Sequence, residues 1–211
     1  NVRVFGTENG LPFDKVTALY MDEKRDLYIG TERNGLYRKD DGSSRIAPYY
    51  RAGNSLENNI NAIDGRGDSI FVATNGGVYT LNTVTGQYKL YSTLNGLPHN
   101  KVYDVMVGSD GTAWVGTITS GLVGISPNNG ITQIMLHGKP TLEFHTLAED
   151  DQGVIWGGTL GDGVYQFSRD TLIHYSEDKG LMNNYTYAIA ADPNGYIWVG
   201  HREGLSRINP R

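Results

Sequence analysis

The chain has 211 residues and sets 18 Lys and Arg against 23 Asp and Glu, so its net charge of −5 offers no basic footprint for nucleic acid or an anionic membrane surface. It contains no Cys, which removes disulfides, Cys-ligated zinc and thiol nucleophiles from consideration, and no apolar run reaches the roughly 18 residues that cross a bilayer as a helix. Gly is abundant, 28 residues or about 13% against a typical level of about 7%, and it comes with 14 Tyr, a composition of many short strands and tight turns.

The chain opens with VRVFGTENGLP, an extended stretch over 2–8 that runs into the marker NGLP at 9–12. No signal-peptide pattern is present in it, which fits a cytosolic protein or one whose signal has been removed. A first unit, 9–50, contains LYIGT at 27–31, with one large aromatic ahead of two small residues. The phrase returns as IFVAT at 70–74 in unit 51–94, AWVGT at 113–117 in unit 95–138, IWGGT at 155–159 in unit 139–178 and IWVGH at 197–201 in unit 179–211. Its aromatic falls at Tyr28, Phe71, Trp114, Trp156 and Trp198, at intervals of 43, 43, 42 and 42 residues. A Gly-aliphatic pair trails it in every unit, from Gly35-Leu36 to Gly204-Leu205, and NGLP recurs at 95–98 and as KGLM at 179–182.

The third unit shows its strands most plainly: VYDVMV (102–107), the turn GSDG, TAWVGT (112–117), GLVGIS (121–126), the turn PNNG and ITQIML (131–136). Four short strands between Gly, Asn and Asp turns predict an antiparallel meander, and a period of about 42 residues is that of a β-propeller blade. The expected fold is therefore all-β, one β-propeller domain over 1–211 built from five four-stranded antiparallel blades. In such a fold the second strand is buried on both sides. Its aromatic fills the wedge between blades, and the small residues let backbones approach. Residues 2–8 align with YKLYSTLNGLP (88–98) and LIHYSEDKGLM (172–182), the outermost strands leading into later units. They are expected to pair near Leu205–Ile208 and close the last blade, covering an edge that would otherwise invite association.

A longer phrase, D-x-x-G-x-I-W-[VG]-G-[TH] followed by G-[LV], stands as DDQGVIWGGT from Asp150 and as DPNGYIWVGH from Asp192. With NGLP or KGLM upstream, it resembles the two-component regulator propeller repeat. The resemblance runs over essentially the whole chain. It is best in the third and fifth units and weakest in the second, where Ala73 and Phe71 replace Gly and Trp. It implies the periplasmic or extracellular sensory segment of a bacterial hybrid two-component protein, with the histidine kinase elsewhere and, in many members, a glycan as the signal.

No catalytic set emerges. Asp22, Asp150 and Asp192 recur at one repeat position, which points to Asx-turn chemistry. His99, His137, His145, His174 and His201 lack metal-ligand spacing, and the neighbours Glu149 and Asp150 point to opposite faces of a strand. No cofactor or metal is assigned. Topology locates a ligand site instead. Loops that lead into the first strand and leave the second share one end of each blade. That end carries Thr17, Asn61, Tyr103, His145 and Tyr187 at the second position of the innermost strand, above the packing positions Leu19, Ile63, Val105, Leu147 and Ile189. The candidate ligand-binding residues are Glu32, Arg33, Tyr103, His145, Tyr187, His201 and Arg202, a polar and aromatic set suited to an oligosaccharide or another small polar ligand. The expected function is non-catalytic ligand sensing, with a second copy or neighbouring domains as further partners. The alternatives are a propeller-fold glycan lyase or glycosidase, and a protein-interaction scaffold.

Overall fold

The computed structural model describes residues 2–136, 139–140, 143–168 and 171–210. The chain divides into two units, residues 1–102 and 103–211. The first holds two antiparallel sheets, β1–β4 (Val16–Met21, Leu27–Thr31, Leu36–Lys39, Ala47–Tyr50) and β5–β8 (Ile60–Arg66, Ser69–Thr74, Gly77–Asn82, Tyr88–Tyr91). The second holds β9–β12 (Val102–Val107, Ala113–Thr117, Gly121–Ile125, Ile131–Gln133), then a two-stranded ribbon of β13 (Met135–Leu136) and β14 (Lys139–Pro140). Two more sheets follow: β15–β18 (Phe144–Glu149, Ile155–Thr159, Val164–Ser168, Thr171–Tyr175) and β19–β21 (Ala188–Ala191, Ile197–Gly200, Leu205–Ile208). Strands neighbour one another in chain order in every sheet, so the protein is all-β and its five large sheets are propeller blades.

The repeated phrase forms the second strand of each blade, and in the first four blades its last three residues are all buried. Its penultimate small residue is needed because the next blade enters there. A Cβ on Gly30 would lie 2.5 Å from Ile60 Cγ2, and one on Gly158 would lie 2.4 Å from Thr186 Cγ2. On Gly116 it would come within 2.4 Å of the Phe144 carbonyl oxygen. Backbone hydrogen bonding reinforces these seams. The Leu147 N–H donates to Asp104 Oδ2 at 2.8 Å, and the Thr186 N–H donates to the Thr159 carbonyl at 2.8 Å.

The turn aspartates do what the spacing suggests and one thing more. Asp150 Oδ1 accepts from the N–H groups of Gln152 and Val154, which closes the Asx turn. Its Oδ2 accepts from Trp156 Nε1 at 3.0 Å, tying the turn to the wedge aromatic six residues on. Asp192 repeats the arrangement with Asn194, Tyr196 and Trp198 Nε1. Asp22 takes Asp26 N–H at 2.8 Å and the Tyr28 hydroxyl at 3.5 Å. Blade two has Gly65 and Phe71 at these positions, and blade three has Gly108 and Trp114.

Three expectations change. The segment 2–8 is not a strand: residues 2–6 lie outside any strand and Thr7–Asn9 form a 3-10 turn. The reason is local packing, since Phe5 lies against Ile29, Tyr37 and Ile46 of the first blade. The Ile46 N–H also donates to the Asn9 carbonyl at 2.7 Å. Second, ITQIML is two strands, because Ile131–Gln133 pairs with β11 while Met135–Leu136 leaves to pair with β14. Third, the packing position is not uniform. Ile63, Val105, Leu147 and Ile189 are buried, but Leu19 is 61% exposed. The wedge aromatic likewise runs from fully buried Tyr28 and Trp156 through partly buried Phe71 and Trp114 to Trp198, 37% exposed.

The seams can be checked by denaturation. Gly158→Val should cost about 1–3 kcal/mol through overpacking on Thr186. Gly200→Val, whose Cβ would meet nothing nearer than Ala188 Cβ at 3.4 Å, should be nearly neutral. Equal midpoints for the two in urea would mean the glycine is not there for the neighbouring blade. Trp156→Ala should cost about 3–5 kcal/mol, since it empties a fully buried wedge.

Candidate ligand-binding site

The second position of the innermost strand has a structural cause that the sequence does not reveal. Pairing of β1 with β2 shifts register between Val16 and Ala18, that of β5 with β6 between Ile60 and Ala62, and that of β15 with β16 between Phe144 and Thr146. Thr17, Asn61 and His145 are therefore bulge residues, and a bulge re-aims a side chain out of the ladder.

In residues 103–211, Tyr103 and His145 come together. Their rings stack with centroids 3.8 Å apart and planes at 25°, and His145 Nε2 lies 3.3 Å from Glu143 Oε2. Tyr187 is half exposed at the start of the last blade, and its N–H donates to the Gly200 carbonyl at 2.9 Å. His201 is buried, with Nδ1 at 3.1 Å from the Tyr185 carbonyl and Nε2 at 2.9 Å from Ser206 Oγ. Both of its ring nitrogens are engaged in holding the loop that carries the exposed Arg202. His137 lies outside the described residues. No group of His, Asp and Glu able to hold a metal ion occurs among the described residues.

In residues 1–102, Glu32 and Arg33 form an ion pair with 3.3 Å between Arg33 Nη2 and Glu32 Oε2. Arg33 also lines a larger cleft that sequence reasoning missed. A cavity of about 930 Å³ is lined by Gly6, Thr7, Leu11, Pro12, Phe13, Asp14, Lys15, Arg33, Asn34 and Arg51. Asp14 holds it together. Its Oδ2 accepts from the Arg33 N–H at 2.9 Å and from Asn34 Nδ2 at 2.8 Å, and its Oδ1 accepts from the Lys15 N–H at 2.8 Å. Burial disfavours the carboxylate, but the bonds from Asn34, Arg33 and Lys15 outweigh that and hold its carboxyl below the usual range. A signal existed in the repeat. Asn100 and Asn184 stand where Asp14 does and accept from Thr93 and Glu177 N–H groups instead.

Since folding lowers the pKa of Asp14, its stabilisation is complete above the unfolded value of about 3.9. It is lost as pH falls through the lower folded value. Asp14→Asn should flatten the stability–pH curve below about pH 3.9. An unchanged acid limb in thermal melts would show that the carboxylate is not clasped in solution.

The family model "Two component regulator propeller" matches residues 96–119 and 180–203. Each segment runs from the GLP or GLM marker through the second-strand phrase, so the chain carries this repeat in its third and fifth blades. Among solved structures, the chain is similar to the extracellular domain of a putative hybrid two component system from B. thetaiotaomicron. The identity is 23% and the TM-score 0.82, over 99% of this chain and 30% of that one. It is also similar to PorZ, a surface component of the type-IX secretion system of Porphyromonas gingivalis (20%, TM-score 0.77, 97% and 34%). A third likeness is to a catalytically inactive virginiamycin B lyase from Staphylococcus aureus solved with quinupristin (16%, TM-score 0.74, 96% and 69%). The chain thus spans about a third of the length of the first two. No curated protein matches it.

Proposed function

We propose that this chain is a ligand-binding sensory segment of a two-component signalling protein, displayed outside the cytoplasm, and that it is not itself an enzyme. The observation that carries this reading is the two-component regulator repeat in two blades, together with the likeness, over 99% of this chain, to part of the extracellular domain of a putative hybrid two component system. The architecture supports it physically. The small residue at the seam recurs from blade to blade, while the bulge positions Thr17, Asn61 and His145 vary in chemistry, as a site grafted on a fixed scaffold does. A ligand there signals only by binding one arrangement of the parent protein better than another.

The ligand class we favour is an oligosaccharide. Tyr187 offers an exposed ring face, and Arg202 a planar donor fork. Calorimetry with a panel of neutral and acidic oligosaccharides tests this. Tyr187→Ala combined with Arg202→Ala should weaken binding, with stability held within about 1 kcal/mol as for exposed sites. Binding that survives the double change places the site elsewhere. A panel with no binder favours the interaction-scaffold reading.

The second reading, a propeller lyase, draws on the likeness to virginiamycin B lyase. His201 lends it little in this chain, since it is buried with Nδ1 on the Tyr185 carbonyl and Nε2 on Ser206 Oγ.

A further inference from the structure

The cleft in residues 1–102 is more than a surface hollow, because three loops are fixed around it and each brings one cation. The first loop carries Lys15, the second Arg33 and the third Arg51. Loops one and two are joined by Asp14 and by the Glu32 N–H donating to the Lys15 carbonyl at 3.0 Å. Loops two and three are joined by the Gly35 N–H donating to the Asn58 carbonyl at 3.1 Å. Asn58, buried, in turn fixes the third loop: its Oδ1 accepts from the Ala52 N–H, and its Nδ2 donates to the carbonyls of Ala52 and Asn54. The backbone under the charges is therefore set before any ligand arrives.

The charge balance of this cleft runs against that of the chain. Net charge is −5 overall, yet the cleft gathers three cations against Asp14 and the neighbouring Glu32, and Asp14 spends its oxygens on two backbone N–H groups and Asn34. Arg33 is partly neutralised, by Glu32 at 3.3 Å and by Asp14, whose Oδ1 lies 3.9 Å from Arg33 Nε. Among the described residues, neither Lys15 nor Arg51 has an ion-pair partner. Beside them Phe13 is fully exposed, a large apolar ring on the cleft wall next to Pro12. Cations alone would suit any anion. Cations next to an open aromatic face, in a cavity of about 930 Å³, suit a ligand with an apolar ring face and a charged edge.

We propose that this cleft binds an anionic saccharide, with Lys15 and Arg51 holding its carboxylate or sulfate and Phe13 stacking on a sugar face. Arg33 adds a planar fork whose orientation Glu32 sets. Asp14 is a positioning residue, acting through the backbone of Lys15 and Arg33. This proposal rests on the ligand-binding reading above, but it concerns a site on different residues, so the two can fail separately.

The test is calorimetric titration of the whole chain with short oligogalacturonate, a heparin-derived oligosaccharide and a neutral cello-oligosaccharide of matched length. At least one acidic ligand should bind roughly tenfold or more tightly than the neutral one, and its affinity should fall as salt rises. The two acidic arms separate a carboxylate-selective site from one that takes sulfate. Lys15→Ala with Arg51→Ala should lower acidic binding by at least about tenfold with an unchanged melting temperature, while Arg51→Lys should keep part of it. Phe13→Ala should weaken it without altering its salt dependence. The proposal falls if neutral and acidic ligands bind alike, or if the double variant binds the acidic ligand as well as wild type. It also falls if none of the acidic ligands binds. In that last case, neutral binding lost with Tyr187 and Arg202 would still leave the sensory reading standing.

Discussion

Where one blade meets the next, a Thr methyl, an Ile side chain or a Phe backbone sits against a glycine with no room for a Cβ. That contact sets how far each innermost strand reaches across its predecessor, and the rest of the architecture follows from it. Ile60 and Phe144 are seated on Gly30 and Gly116, and the very next residues, Asn61 and His145, are pushed out of the ladder as bulges. Anchor and display are adjacent in the chain. A single register shift lets the start of one strand close a seam and present a polar side chain.

The aromatic wedge is secured differently. In three blades it has a polar handle that reaches the carboxylate opening the preceding turn, as Trp156 does with Asp150, Trp198 with Asp192 and Tyr28 with Asp22. Burying an indole or phenol is favourable for its carbon surface but costly for an unpaired N–H or O–H, and the turn carboxylate removes that cost. Blade two uses Phe71, which has no donor, and has Gly65 in place of the aspartate. Blade three keeps Trp114 with Gly108, so the aspartate handle secures the aromatic in three blades and is not a condition of having one.

Sequence was a good guide wherever every blade solves the same problem. The repeat, the meander, the all-β class and the burial of the second strand are readable because the same packing demand recurs at the same spacing. It failed where a position depends on what lies beside it. Leu19 fits the pattern of Ile63 and Leu147 but is exposed, since the pattern records the residue and not its neighbour. The 2–8 segment resembles an outer strand, yet Phe5 finds a nearer apolar surface on Ile29, Tyr37 and Ile46. Of the candidate site residues, Tyr103 and His145 do meet, though as a stacked pair. His201 turned out to be a support, and the cleft around Asp14 went unread because it joins residues from three separate loops.

The bulges have a consequence for how such a protein can change. A side chain within a ladder is bound to its cross-strand partner, and altering it disturbs register. Thr17, Asn61 and His145 lie at the points where pairing has already been given up, directly beside residues locked into the seams. New recognition chemistry can be written there one letter at a time while the framework stays in place, much as variable loops change on an antibody frame. Among the described residues three blades carry such a letter, so the repertoire of the fold grows with the blades that bulge, without any single blade having to be reinvented.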